Sequence, residues 1–186
     1  MNILALDTST KNFSLAVVKK DRLAASCDVV LDKVLSDSIV PTIDRVLKKA
    51  GVPFADIDGF AIGLGPGSFT SLRVGLSTIK GFCLGSQKKV VGISSLDLIA
   101  QNAAGVLAQD ICVIVDAKRH LVYAAVFRQT KNGLKQQGPY HLLAIKDLLP
   151  LLKKRTIFVG DAVGLYRHEI ERYSFKVNIE AVFALE

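Results

Sequence analysis

The first six residues after the initial Met, Asn2–Asp7 (NILALD), are mostly apolar, rich in strand formers and end on an acid. A polar turn, Thr8–Asn12, separates them from a second apolar run, Phe13–Val18, and Lys19-Lys20-Asp21-Arg22 leads into a third near Leu23–Val30. Apolar runs of this length, punctuated by polar turns, predict a β-meander. From Lys33 to Ala50 the positions Val34, Leu35, Ile39, Ile43, Val46, Leu47 and Ala50 follow helical spacing, with Gly51 as a stop. Pro41 lies inside that pattern and is expected to kink the helix or restart it. Asp58–Leu64 then reads as a buried strand, Gly63–Thr70 as a turn, Ser71–Ser86 as a helix, Lys88–Ile93 as a strand, and Leu96–Ala108 as a helix capped by Ser94 or Ser95. A meander followed by alternating helices and strands predicts an α/β domain with a mixed sheet.

The pattern then begins again. ILALD-TSTKN-FSLAVV at Ile3–Val18 and VIVD-AKRH-LVYAAVF at Val113–Phe127 are both strand, Asp, polar turn, strand, so that Asp7 corresponds to Asp116. The repetition predicts two lobes, 1–105 and a smaller 106–186, built on the same hairpin start. The second continues with a polar loop at Gln129–Gly138, a short helix at Ile145–Leu152, the strand Thr156–Val159, a turn at Gly160-Asp161 and a helix from Ala162 towards Tyr173. The last residues, AVFALE, form an apolar run without a clear cap.

Composition narrows the class. Half of the 186 residues are hydrophobic and 22% are charged, which excludes a disordered, collagen-like or disulfide-scaffold chain. No stretch approaches the roughly 18 apolar residues of a membrane span, and MNILALDTST lacks the basic start of a secretory signal, so a soluble cytoplasmic protein is expected. Cys27, Cys83 and Cys112 are widely spaced in apolar surroundings and read as reduced core thiols. His120, His141 and His168 form no zinc pattern, and no metal held by this chain is expected. The formal charge of +7 is spread, with 12 Lys/Arg against 9 acids in 1–105 and 12 against 8 in 106–186. A diffuse excess reads as a solvated surface, compatible with a place near RNA in a larger assembly.

Three features carry candidate chemistry. GLGPGSFTSLRVG, Gly63 to Gly75, lies between a strand and a helix. Its glycines let the backbone turn tightly, and the N–H groups opening the helix favour an anion, with Arg73 one turn in. It lacks the G-K-[ST] of a P-loop, the third Gly of a dinucleotide fingerprint and the G-x-S-x-G of a hydrolase elbow; a cradle at Gly65, Gly67, Ser68 and Thr70 and a rigid packing turn both stand. Asp7-Thr8-Ser9 ends the first strand, where an acid and hydroxyls suit Mg²⁺ and a phosphate tail, although an Asp that caps a turn is an equal reading. The Ser71–Ser86 helix is apolar almost all round and carries Gly75 and Gly85, so that it is either a subunit interface or a sandwiched core helix. Paired loop carboxylates and Cys-His pairs are lacking.

MNILALDTST, IGLGPGSFTSLRVGLSTIKGF (Ile62–Phe82), VVGISSLDLIA (Val90–Ala100) and VDAKRHLVYAAVF (Val115–Phe127) resemble the TsaB (YeaZ) family over residues 1–127. The resemblance implies an actin-like, Hsp70-like ATPase-related fold of two lobes, each a mixed sheet flanked by helices, the second reduced. It implies a non-catalytic scaffold in making threonylcarbamoyladenosine beside the tRNA anticodon, as a homodimer or as a heterodimer with the catalytic subunit TsaD, joined by the ATPase TsaE. Nucleotide and metal then belong to the partners, and tRNA is met only indirectly. The interface falls on the two helices, with Leu35, Ile39, Ile43, Leu72, Arg73, Leu76, Ile79 and Cys83 as candidate contacts. Two positions depart from the family pattern: Ser71 stands where a Gly is usual, and Leu35-Ser36 where His-Ser is common. The alternative is a small phosphotransferase or ATPase using Asp7, Thr8, Ser9 and the Gly65–Thr70 turn; a regulator acting through homodimers is a third reading.

Overall fold

Strands β1 (Asn2–Asp7), β2 (Asn12–Lys19) and β3 (Arg22–Val30) form an antiparallel meander, with Leu6 opposite Leu15 and Leu15 opposite Cys27. The molecule is seen in a computed structural model, which describes residues 1–30, 35–105, 110–152, 155–177 and 182–183. Helix α1 (Leu35–Ala50) leads to β4 (Gly59–Gly63), and α2 (Phe69–Ser86) leads to β5 (Lys89–Ile93). Both strands join β1 in parallel, giving the sheet order β3-β2-β1-β4-β5.

Alternation explains which face is buried. Leu4 and Leu6 of β1 and Phe13, Leu15 and Val17 of β2 point into one core with Leu35, Ile39, Ile43, Val46 and Leu47 of α1 and Ile79 of α2. The helix expected from Lys33 is described from Leu35 and runs unbroken through Pro41, which sits on its exposed side in the second turn. Gly51, at φ +61°, ends it: its N–H bonds to the Lys48 carbonyl and that of Val52 to the Leu47 carbonyl, both at 3.1 Å, a Schellman motif.

The second unit repeats this topology. β6 (Asp110–Asp116) pairs antiparallel with β7 (Leu121–Thr130), β7 pairs with β8 (Gly133–Gln136) and β9 (His141–Ala144), and β10 (Thr156–Val159) and β11 (Val182–Phe183) follow in parallel. The order β8-β7-β6-β10-β11 reproduces that of the first sheet. Helices α4 (Ile145–Leu148) and α5 (Arg167–Val177) stand where α1 and α2 stand in the first unit.

Several expectations change. The polar loop predicted at Gln129–Gly138 is largely a hairpin carrying β8, because β7 continues to Thr130 and supplies the ladder. The helix predicted over Leu96–Ala108 is the short α3 (Ser95–Ala100) with a 3-10 turn at Gln101–Ala103, and 106–108 lie outside the described residues. Neither serine caps it: the Ser95 hydroxyl is engaged elsewhere, and the Ser94 hydroxyl is buried without a partner among the described residues. The helix predicted from Ala162 starts at Arg167, after turns. The chain divides into compact units at Met1–Ser95 and Leu96–Glu186. That is ten residues before the division at 105, because Leu96, Ala100 and Ala103 pack with Ile111, Val113 and Val115 of the second sheet.

Candidate functional site

The side chain of Asp7, at the end of β1, folds back on its own backbone, with Oδ1 accepting the Ser9 N–H at 2.7 Å. Its Oδ2 accepts from the Ser95 hydroxyl at 2.5 Å. The same Ser95 oxygen accepts the Gly65 N–H at 3.0 Å, and the Ser95 N–H donates to the Gly65 carbonyl at 2.8 Å. Glycine is required for this approach: a Cβ on Gly63 would lie 1.7 Å from Asp7 Oδ2. Gly65 has φ +85°, and the Gly65-Pro66 bond is cis.

The loop then closes over the first turn. A Cβ on Gly67 would lie 2.0 Å from the Ser9 carbonyl oxygen, and the Ser68 N–H donates to that oxygen at 2.7 Å. Thr8 Oγ1 donates to the Ser71 carbonyl at 2.9 Å, close under Gly75, where a Cβ would meet it at 2.6 Å. Ser68 is the N-cap of α2, and Thr70 is exposed on its first turn. A metal-bound phosphate needs carboxylate oxygens and N–H donors facing open space. Here both Asp7 oxygens have donors, Thr8 and Ser9 are buried, and the loop sits on Ser9, so these residues do not fit that group. The Ser9 hydroxyl is buried without a partner among the described residues.

The equivalent acid of the second unit is held in the same manner. Asp116 Oδ1 accepts the Lys118 N–H at 2.8 Å, and Oδ2 accepts from Lys118 Nζ at 2.6 Å. That hydrogen bond and the carboxylate charge hold the Lys118 ammonium above its ordinary pKa. Asp161, after Gly160 at the end of β10, takes the Asp116 N–H at 3.0 Å. Among the described residues no group of His, Cys, Asp or Glu side chains is arranged to hold a metal.

Helices α1 and α2 lie side by side and present an outer face. Of the predicted contacts, Leu35, Ile43 and Ile79 are in the core beneath, and Ile39, also in the core, forms part of the floor of the groove between the helices. Apolar helical spacing marks the side turned to the sheet. Leu72 and Cys83 are half-buried, and Arg73 and Leu76 are exposed. The face also holds residues the sequence reading missed: Val40, Phe69 at 73% exposure and Leu84 at 81%. Their signal was an apolar residue falling out of phase with the buried stripe. Arg73 lies over the Phe69 ring, 5.3 Å from its centre, beside an open groove of about 490 Å³ between the helices lined by Val40, Val74 and Ser77. The α2 helix is therefore buried on one side only and is not a sandwiched core helix.

Two units with one sheet order, each with an acid at the end of its first strand, define an actin-like, ATPase-related α/β fold. The activator of 2-hydroxyisocaproyl-CoA dehydratase from Clostridium difficile, solved with bound ADPNP, shares that fold at 12% identity and TM-score 0.57, covering 98% of this chain and 88% of that one. YeaZ from Pseudomonas aeruginosa matches at TM-score 0.76 and 26% identity, covering 91% of this chain and 79% of its own. The tRNA threonylcarbamoyladenosine biosynthesis protein TsaB of Buchnera aphidicola is 32% identical over 164 residues, 86% of this chain and 78% of that protein. A family model described as TsaD, tRNA N6-adenosine threonylcarbamoyltransferase, matches residues 30–178. The chain belongs to the TsaB (YeaZ) family. No helix among the described residues is long and apolar enough to cross a membrane.

Proposed function

We propose that the chain serves in tRNA threonylcarbamoyladenosine biosynthesis as a scaffold without chemistry of its own, docking the outer face of α1 and α2 on the catalytic subunit TsaD or on a second copy of itself. The observation that carries the non-catalytic reading is the closed turn at Asp7: an actin-like enzyme needs open space there for metal and phosphate, and here Thr8 and Ser9 are buried with the Gly67 backbone packed on the Ser9 carbonyl. Nucleotide and metal are then the business of the partner subunits, TsaD and the ATPase TsaE. The same closure weighs against a phosphotransferase built on Asp7 and the Gly65–Thr70 turn.

The docking face is supported by a cost with no return inside the chain. Glycine in a helix interior is less favourable than alanine by about 1 kcal/mol, yet a Cβ on Gly81 or Gly85 would meet nothing within 4 Å. With Phe69, Leu76 and Leu84 exposed on the same helix, close approach by another helix gives both features a purpose. Mixing the chain with its cognate TsaD and measuring mass in solution tests this. A heterodimer at micromolar concentration is expected; two separate species would overturn the scaffold reading. Calorimetric titration with Mg-ATP tests the other half, and tight binding with turnover by the chain alone would overturn it.

A further inference from the structure

The positive charge, diffuse along the sequence, is segregated in the fold. In the first unit the turn between β2 and β3 carries Lys19, Lys20 and Arg22, the last turn of α1 carries Lys48 and Lys49, and Lys88 and Lys89 lead into β5. Strand register brings these to one end of the sheet: Asn2 stands opposite Lys19, Ile3 beside Gly59, and Gly59 beside Lys89. Helix α1 finishes eight residues before β4 begins at that end. Asp21, Asp56 and Asp58 accompany these seven cations, as does Asp44, one turn before Lys48. Elsewhere among the described residues of this unit Lys11, Arg45, Arg73 and Lys80 stand against Asp7, Asp28 and Asp37. Three of the four excess positive charges among the unit's described residues therefore sit at the end opposite the closed Asp7 turn.

The arrangement is held against its own repulsion. Lys19 and Arg22 are direct cross-strand partners, and like charges so placed are destabilising. The turn between them is made by Lys20 and Asp21 at φ 49° and 61°, a conformation usual for Gly or Asn. Lys48 alone of the seven has an ion-pair partner among the described residues, Asp44 at 2.7 Å. From β3 to β5 there are four inter-strand steps of about 4.8 Å, or roughly 19 Å, a length over which the two strands of a nucleic-acid duplex together present about eleven phosphates.

We infer that this basic end of the first sheet is a binding surface for the phosphate backbone of structured RNA. The inference rests on the proposed place of the chain in tRNA modification, and gives the chain a direct RNA contact in addition to its scaffold face. Ammonium groups on a rigid hairpin and a strand start read phosphate charge and not base sequence, so the contact positions the RNA without specifying it.

The test compares the full chain with two variants of equal net charge, by anisotropy of a labelled tRNA transcript across a salt series. One is Lys19→Glu/Lys20→Glu/Lys88→Glu/Lys89→Glu; the other places four charge reversals in the second unit, Lys131→Glu/Lys135→Glu/Lys146→Glu/Arg172→Glu. Lys88 is half-buried and the other side chains of both sets are exposed, and circular dichroism verifies folding. The first variant is expected to bind at least tenfold more weakly, with a log–log salt slope smaller by about 4, about one for each phosphate no longer neutralised, and the second to stay within about threefold of the unaltered chain. Equal losses in both variants, no RNA binding by the unaltered chain, or binding to phosphatidylserine vesicles in place of RNA would overturn the inference. Association with TsaD is measured on the same samples: the basic-end variant is expected to retain it, and failure of the unaltered chain to associate removes the scaffold reading without touching the RNA comparison.

Discussion

Ser95 reaches across 88 residues of sequence to donate its hydroxyl proton to Asp7 Oδ2 at 2.5 Å. One serine oxygen thereby joins the end of β1, through Asp7, to the loop after β4, through the Gly65 N–H.

Removing that hydroxyl is expected to destabilise the chain. Ser95→Ala leaves a carboxylate oxygen and the Gly65 N–H without their partner in a buried place, a loss of about 2 kcal/mol for a hydrogen bond to a charged group. Gly63→Ala is expected to cost more, because its Cβ overlaps the Asp7 carboxylate outright. The chain has no Trp, so urea unfolding followed by circular dichroism is the measurement. A Ser95→Ala midpoint equal to that of the unaltered protein would show that the contact contributes nothing.

Burial pushes the Cys112 thiol far above its ordinary pKa, because the thiolate is denied water in the core of the second unit. Native Cys112 is expected to resist alkylation at pH 8 while the half-buried Cys27 and Cys83 react first. The linkage sign follows from the raised folded value: the folded chain keeps a proton that the unfolded chain releases above about pH 8.5. This group's contribution is full below that pH and is lost as pH rises, by about 1.4 kcal/mol per pH unit. Cys112→Val is expected to flatten the fall in stability between about pH 8.5 and 10. An identical pH profile in the variant would refute the assignment.

Leu76 and Ile79 separate docking from folding on one helix. Leu76 is 41% exposed and Ile79 fully buried. Leu76→Asp is expected to leave the melting temperature nearly unchanged and to weaken association with TsaD by about 2 kcal/mol, roughly thirtyfold. Ile79→Asp buries an unpaired charge and is expected to unfold the first unit. Analytical ultracentrifugation and thermal denaturation read the two effects apart; a Leu76→Asp complex of unaltered affinity removes this face as the interface.

What could be read from sequence followed the strength of burial. β1, β2, β4 and β10 are buried strands whose alternation or apolar run is visible in any window. By contrast β8, with Leu134 as its single apolar residue, is paired because β7 offers it a ladder, a long-range fact with no local trace. The repeat of Asp7 and Asp116 was visible because two hairpins share a pattern, whereas the partner of Asp7 was not: Ser95 resembles a helix cap in sequence and is recruited only by the fold. The exposed face of α1 and α2 was less legible for a physical reason. Helical periodicity reports the face turned to the core, where Leu35, Ile39, Ile43 and Ile79 lie, and says little about exposed apolar residues such as Phe69, Val40 and Leu84. The charge was misread in the same way, as spread, because turns distant in sequence meet at one end of the sheet.

Gly81 and Gly85 give the sharpest separation between what the free chain needs and what an assembly needs. Both lie on α2, where a methyl group added to either would find nothing within 4 Å, so Ala at either position removes backbone entropy from the unfolded chain and introduces no clash. Each substitution is expected to stabilise the free chain by about 0.5–1 kcal/mol. If a partner helix approaches α2 closely at these positions, the same methyl groups hold it away, and affinity falls as stability rises. The paired measurement is thermal unfolding of the free chain and mass of the TsaD mixture for Gly81→Ala, Gly85→Ala and the double variant. A stabilised chain with weakened association is the expected result, since a purely structural role for the glycines would move both readings in the same direction. A stabilised chain that associates as before would show that the glycines serve no interface, and would confine the docking face to the N-terminal half of α2 around Phe69, Arg73 and Leu76.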